Sequence, residues 1–430
     1  MTAAGAVHPA APAPGGIPLD RALAALRTLD ASARAFWIHD LDAFVARAAR
    51  LRAAFAPFAA HLAYALKVNG LPALVRAACA AGLDADAGSL GELALAEHAG
   101  FSAARRTLSG NGRTPEEAAW AARRGVAAVS ADHVGELDLL DAAAGAAGTT
   151  LRVALRVNPG IYIGGHKHVA TGHRDAKFGI APEDALEAWA ARARWPHLHI
   201  DGVHLHVGSQ ILEQAPLEAA ATAALALARA SAERGAPLSQ LNLGGGFGVD
   251  YATGADAFPI EAHARLLADL AAGQPYTWRF EPGRWLVAPI GTLVAEVLWV
   301  KERHEDGGTR RFVVLAAGMN DLLRPALYGA HHRIVPVRPR AGEWTHATVV
   351  GPVCESGDTF AADVPLPPLQ RGDLVALLDA GAYGAAMSSN YNGRGRLAEL
   401  VVEGGRLRRA RAAESPEALL VRECADELAT

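Results

Sequence analysis

Eight short β-like runs, separated by Ala-rich segments with helical periodicity, are the feature that most restricts how this chain can fold. The runs fall at about 61–67, 83–88, 106–110, 127–132, 152–158, 200–207, 240–244 and 277–281. Between them, Pro72–Ala81, Gly91–Ala99, Pro115–Arg124, His133–Ala144, Pro182–Arg194 and Pro216–Arg234 repeat apolar residues at helical spacing. Strands that alternate with helices in this way build parallel βα units. Eight units in roughly 220 residues fit a closed (β/α)8 barrel, with a doubly wound open sheet as the alternative.

The pattern changes after about residue 290. Gly291–Val300, Thr309–Ala316, Thr345–Val350 and Asp373–Leu378 are β-like, turn signals separate them, and helical stretches become rare. This predicts a mostly antiparallel β domain over 291–430, to which the early run Ala35-Phe36-Trp37-Ile38-His39 adds a strand. The expected division is a leader at 1–18, a segment at 19–40 joining the β domain, a barrel at 41–290, and the β domain itself. The leader is rich in Ala, Pro and Gly and has no Lys or Arg, so it reads as disordered rather than as a signal peptide.

Bulk properties narrow the partners. The 430 residues carry a net charge of −4 with no long block of like charges, which argues against nucleic acid or an anionic membrane. The long Ala runs are broken by Arg, Glu and Asp, so none reads as a membrane span. Cys79, Cys354 and Cys424 are odd in number and lack zinc-ligand spacing. Neither a metal site nor a disulfide framework is expected, and a reducing, cytoplasmic setting fits.

In a barrel the active site forms where the strands end, and chemistry-bearing residues cluster there. Lys67 closes the first run and is a candidate Schiff-base lysine. Such an amine must be near neutral to attack an aldehyde, and burial beside cations would lower its pKa. Glu281 closes the last run, and a carboxylate beside a pyridine nitrogen keeps that nitrogen protonated. Gly244-Gly245-Gly246 lets backbone N–H groups approach a phosphate, at a loop position where barrels often bind one. Ser209 could add a hydroxyl, and His206, which shares a strand face with His204, could stack on a ring. Singly, each has a plainer explanation: a solvated strand end, an ordinary turn, a structural histidine. Together they are the parts needed to hold and use pyridoxal phosphate.

The second domain contributes Cys354 and Glu355 within the turn-rich Gly351-Pro352-Val353-Cys354-Glu355-Ser356-Gly357-Asp358. An exposed thiol there could donate a proton. Arg324 and Tyr328 are polar groups in an otherwise apolar segment, and a guanidinium suits a carboxylate clamp.

From about residue 35 to 405 the chain resembles the diaminopimelate decarboxylases, pyridoxal phosphate enzymes of the alanine-racemase-like barrel class. The resemblance rests on Tyr64-Ala65-Leu66-Lys67-Val68-Asn69, Leu155-Arg156-Val157-Asn158-Pro159-Gly160, Thr171-Gly172 with Lys177-Phe178-Gly179-Ile180, His204–Gln210 and Leu243–Gly248. It continues through Glu281–Arg284, Gly318–Tyr328, Gly351–Asp358 and Asp379-Ala380-Gly381-Ala382-Tyr383-Gly384. It implies that Lys67 carries the cofactor, His206 packs on its ring, Ser209 and Gly244–Gly246 hold its phosphate, and Glu281 meets the pyridine nitrogen. Gly283, Arg284 and Tyr383 would complete the cofactor site. Arg284, Arg324 and Tyr328 would bind a distal carboxylate, Glu355 a distal ammonium, and Tyr383 would line the substrate. Cys354 would return a proton after carbon dioxide leaves. A head-to-tail homodimer with shared active sites is also implied.

The implied reaction converts meso-diaminopimelate at its D-centre to L-lysine. A sister decarboxylase acting on ornithine, lysine, arginine or a specialised amino acid is the alternative; it would leave Arg324 without a carboxylate, which is costly if Arg324 is buried. Alanine racemases place an arginine where this chain has Glu281, and inactive homologues typically lose the lysine or the thiol, both kept here. Two departures from the family pattern stand out: Leu90 in place of a glycine, and the run Ile161–His168.

Overall fold

The computed structural model describes residues 11–58, 60–161, 177–305 and 308–421. Met1–Ala10, the Ile161–His168 run beyond its first residue, Thr171-Gly172 and Cys424 lie outside the described residues. Two units form. One takes Phe44–Asp250 and Ala255–Val287; the other takes the described residues up to Ala43, Tyr251–Gly254 and those from Ala288 on.

The first strand, β1 (Ala35–Asp40), belongs to the second unit. The next eight are β2 (His61–Ala65), β3 (Asp84–Ala87), β4 (Arg106–Leu108), β5 (Ala128–Ala131), β6 (Leu151–Arg156), β7 (Leu198–His204), β8 (Gln240–Asn242) and β9 (Thr277–Phe280). They pair in parallel and in sequence order, and β9 closes on β2. The fold is therefore the (β/α)8 barrel rather than an open sheet. Most of the eight runs end beyond their strands. Lys67, His206 and Gly244 lie just past β2, β7 and β8, where the chain leaves the ladder to build loops.

The intervening helices start and stop where the sequence signals it. Thr114 and Glu117 form a reciprocal capping box, Pro115 opens the helix Pro115–Arg124, and Gly125 (φ +77°) ends it. Such a cap contributes about 1 kcal/mol. The segment predicted from His133 becomes helical only at Glu136, and the one over 182–194 breaks after Ala190 into a 3-10 turn.

The second unit adds β10 (Gly291–Glu305), β11 (Gly308–Leu315), β12 (Ile334–Pro336), β13 (Thr345–Val350), β14 (Thr359–Leu366), β15 (Leu374–Leu377), β16 (Ala398–Glu403) and β17 (Arg406–Arg411). They form one nine-stranded, mostly antiparallel sheet that includes β1. Two pairs in it, β1–β16 and β11–β13, are parallel. β10 pairs through its first half with β1 and β15 and through its second half with β11, with an irregularity between Val297 and Trp299. The period-two rule separates two cores. Phe36, Ile38 and Val294 pack on one face with Leu19, Leu23 and Leu26; Ala35, Trp37, Leu293 and Ala295 pack on the other.

The leader needs correction. Pro14–Gly16 form a 3-10 turn, Pro14 is buried, Gly15 N–H donates to Asp40 Oδ2 at 2.8 Å, and Ile17 packs against the core. Residues 11–18 are ordered because helix Leu19–Arg27 docks Leu19, Ala22, Leu23 and Leu26 on the sheet and carries the preceding turn with it.

Candidate active site

Lys67 sits in a single 3-10 turn, Leu66–Val68, at the end of β2. Tyr64 Oη donates to the Asn69 carbonyl (2.8 Å), Asn69 N–H donates to Leu66 O (3.1 Å) and Leu71 N–H to Asn69 Oδ1 (3.0 Å). Ala65 N–H donates to Pro282 O (3.2 Å), tying this turn to the Glu281 loop. Contrary to the expectation of burial, Lys67 is exposed, and Asp86, Glu92, Glu281 and His206 all feel its charge.

Beneath it lies a buried polar layer. Glu281, 5% exposed, accepts from Asn242 Nδ2 at 2.7 Å, and His204 Nε2 lies 3.5 Å from its other oxygen. His204 Nδ1 is hydrogen-bonded to the Ser130 hydroxyl. Burial opposes the charge on Glu281, yet His204 and Lys67 hold its carboxyl well below the usual carboxylate range. Asp86, whose Oδ1 accepts from Ser109 Oγ at 2.6 Å, is pushed up to about 6 by burial and by the Glu281 charge. One buried carboxylate is thus held anionic and its neighbour is biased toward the neutral acid.

The glycine run follows β8. An added Cβ on Gly244 would meet His206 Nδ1 at 2.5 Å, one on Gly245 the Glu281 carbonyl at 2.2 Å, and one on Gly246 the Gly208 carbonyl at 2.6 Å. Any side chain would fill this cradle, so the loop can present only backbone. Gly245 N–H donates to His206 Nδ1 at 3.3 Å, which makes that nitrogen the unprotonated one. Desolvation, with Lys67 and Arg156, drives the His206 pKa well below its usual value, so the ring is neutral. Arg284, buried at the start of the turn after Gly283, donates through Nη2 to Ser209 Oγ at 2.9 Å. A guanidinium, a hydroxyl and glycine backbone therefore converge beside an anionic buried carboxylate. This donor set fits a phosphate and a protonated ring nitrogen.

In the second unit, Arg324 opens the short helix Arg324–Tyr328 and is 5% exposed. Its Nη1 donates to His332 Nε2 at 2.9 Å. Cys354 and Glu355 are exposed in the β13–β14 turn. Asp358 anchors that turn, accepting from Met319 N–H and Val353 N–H at 2.6 Å each, and Cys354 N–H donates to Asn392 Oδ1 at 2.9 Å. A Cβ on Gly351 would lie 2.4 Å from both Asp358 oxygens, so glycine makes room for the carboxylate. Tyr383 holds a left-handed backbone (φ +56°), a conformation that costs a non-glycine residue about 1 kcal/mol or more.

The chain matches the pyridoxal-dependent decarboxylase family, through its pyridoxal binding domain, over residues 41–288. It is 40% identical to the diaminopimelate decarboxylase of Zymomonas mobilis over 360 residues, 84% of each chain. The Neisseria meningitidis serogroup A diaminopimelate decarboxylase is 37% identical, with 93% of this chain and 97% of the relative covered. The chain belongs to the diaminopimelate decarboxylase family. Its fold agrees: the diaminopimelate decarboxylase of Helicobacter pylori, solved in complex with L-lysine, superposes with a TM-score of 0.86 at 33% identity, covering 92% of this chain and 98% of that one. As a member of this family the chain is a pyridoxal phosphate-dependent amino-acid decarboxylase.

Several residues of the site escape a linear reading. Asp86, Glu92, Ser130, Asn242 and Arg156 join the site only through the barrel. Asp86 had a usable signal, since Asp84 and Asp86 place two acids on one face of a buried strand. Glu92 accepts from Gly88 N–H at 2.6 Å. Leu90, the departure in that loop, opens the helix Leu90–His98 and is 37% exposed.

Proposed function

We propose that the chain removes carbon dioxide from meso-2,6-diaminopimelate at its D-centre and so produces L-lysine. The observation that carries the substrate choice is Arg324, a buried guanidinium held in one orientation on the same short helix as Tyr328. A planar guanidinium held in one orientation suits a bidentate pair with a second substrate carboxylate.

When bound, pyridoxal phosphate supplies the electron sink for the pair left by the breaking Cα–carboxylate bond. Lys67 Nζ would hold the cofactor aldehyde. Gly244–Gly246, Ser209, Gly283 and Arg284 would bind the phosphate end, and neutral His206 would pack on the ring. Glu281, held anionic, would keep a proton at the ring nitrogen. Arg324, Tyr328 and Arg284 take the distal carboxylate and Glu355 the distal ammonium, while Tyr383 lines the pocket. Cys354 Sγ then returns a proton to the carbon that lost its carboxylate.

Cys354 and Glu355 are assigned to the site of a second copy, which makes a homodimer the functional unit. Their exposure in a single chain supports that assignment. A cytoplasmic location fits the sparse cysteines; among the described residues no helix is long and apolar enough to cross a membrane.

The test is carbon dioxide release from cofactor-loaded protein given meso-diaminopimelate, with ornithine, lysine and arginine of both hands in parallel. Release from meso-diaminopimelate alone supports the proposal. Turnover of another amino acid in its place overturns the substrate and keeps the decarboxylase.

A further inference from the structure

We propose that His332, together with Tyr251, is a positioning residue that fixes the plane of the Arg324 guanidinium and so makes the enzyme selective for substrates with a distal carboxylate. The proposal rests on the reading that Arg324 receives that carboxylate.

His332 is 1% exposed and bridges two parts of the second unit. Arginine has only donors, so His332 Nε2, 2.9 Å from Arg324 Nη1, must be the acceptor. The ring proton is then on Nδ1, which donates to the Leu378 carbonyl at 2.9 Å. That carbonyl follows β15, and its residue is fixed in turn, because Leu378 N–H donates to Arg333 O at 2.9 Å. Arg333 also donates through Nε and Nη2 to Asp379 Oδ2, at 2.9 and 2.8 Å. The tautomer is thus set by backbone and handed to Arg324 as a directed acceptor. Tyr251 completes the frame. The Arg324 guanidinium carbon lies 4.5 Å from the centroid of its ring, and the same ring meets His332 edge to face at 5.4 Å. One edge and one face of the guanidinium are therefore defined by two side chains that carry no charge in this arrangement. A planar fork recognises a carboxylate only when its plane is correct.

Two substitutions separate the bonds. His332→Asn can keep the donor to Leu378 and loses the acceptor for Arg324. His332→Gln can reach Arg324 with its amide oxygen and loses the Leu378 bond. His332→Asn should raise KM for meso-diaminopimelate about ten- to hundredfold, the worth of a hydrogen bond to a charged group, with kcat within about threefold. The cofactor absorbance should not change. His332→Gln should recover most of the KM. Arg324→Met alone should raise KM, and adding His332→Asn to it should cost little more, since the two residues act as one unit. Tyr251→Leu gives a second route if His332→Asn does not fold, with the same expectation of raised KM and preserved kcat. Unchanged KM in Arg324→Met would overturn the reading of Arg324 itself. A KM raised by Arg324→Met but untouched by His332→Asn and Tyr251→Leu, equal defects in the Asn and Gln variants, or full additivity with Arg324→Met would each overturn the positioning role.

Discussion

Replacing Gly245 by alanine tests the cradle directly. The new methyl would sit 2.2 Å from the Glu281 carbonyl oxygen and 3.0 Å from its carbonyl carbon, both rigid backbone atoms. Ordinary contact starts at 3.4 Å. One of the two loops must therefore move by about 1 Å, and a misplacement of that size at a reacting centre costs about a hundredfold in rate. The same move breaks the Gly245 N–H bond to His206 and shifts Glu281, so cofactor affinity should fall with the rate. Forced overpacking adds a stability loss of about 1–3 kcal/mol. Gly245 is not among the positive-φ glycines, so no backbone strain confuses the result. Gly100→Ala is the control. Its φ is +96° and nothing lies within 4 Å of the added methyl, so it should lose about 1 kcal/mol of stability with cofactor binding intact. Cofactor titration by absorbance, carbon dioxide release and urea unfolding read the three effects. The reasoning is refuted if Gly245→Ala binds cofactor and turns over within about threefold of wild type.

Glu281→Gln should lower the rate of the loaded enzyme about a hundredfold or more, because a buried ion partner is lost. In cofactor-free protein its effect depends on pH. Asp86 is raised from 3.8 to about 6 in the folded state, first by burial and then by Glu281. A carboxyl raised on folding gives stability at low pH that is lost as pH rises through about 4 to 6. With the Glu281 charge gone, that loss shrinks. Glu281, depressed on folding, contributes a pH dependence of its own only below about pH 5. The variant should therefore gain on wild type between about pH 5 and 6, and a urea-midpoint difference that stays constant there contradicts the coupling. Lys67→Ala and Cys354→Ala should each be nearly inactive; mixed in equal amounts, they should recover about a quarter of wild-type activity if sites are shared across a dimer. No recovery after subunit exchange, verified by tagged copies, contradicts sharing. Asp358→Ala leaves Met319 N–H and Val353 N–H without their acceptor and should destabilise the β unit by about 2–3 kcal/mol in thermal unfolding.

The barrel was legible because its strands fall in short β-like runs with helical, Ala-rich segments between them, a period switch that local sequence carries. The loops that end those strands were legible too, since Lys67, Gly244–Gly246 and Glu281 break the apolar pattern. Parts of the β unit were not. β17 (RLRRAR) looks like a charged surface segment, and only its pairing with β16 across Gly404-Gly405 makes it a strand. β14 contains Pro365 and a left-handed Asp363 (φ +57°), both of which argue against a strand in isolation. Helix Leu19–Arg27 buries an apolar stripe, but it follows an Ala- and Pro-rich stretch that hides its start. The polar networks were hidden for a different reason. Ser130 and His204 come from two strands and Glu281 from the loop after a third, and Tyr251, Arg324, His332 and Leu378 come from four separate segments. Tertiary structure alone makes them neighbours.

The most direct test of the central claim is to run the reaction on meso-diaminopimelate in deuterium oxide and follow carbon dioxide and the amino-acid product together. Decarboxylation at the D-centre gives one lysine for each carbon dioxide, with a single deuterium on the carbon that lost its carboxylate and none at the remaining α-carbon. Deuterium entering the substrate without carbon dioxide release, or carbon dioxide release without lysine, would contradict it.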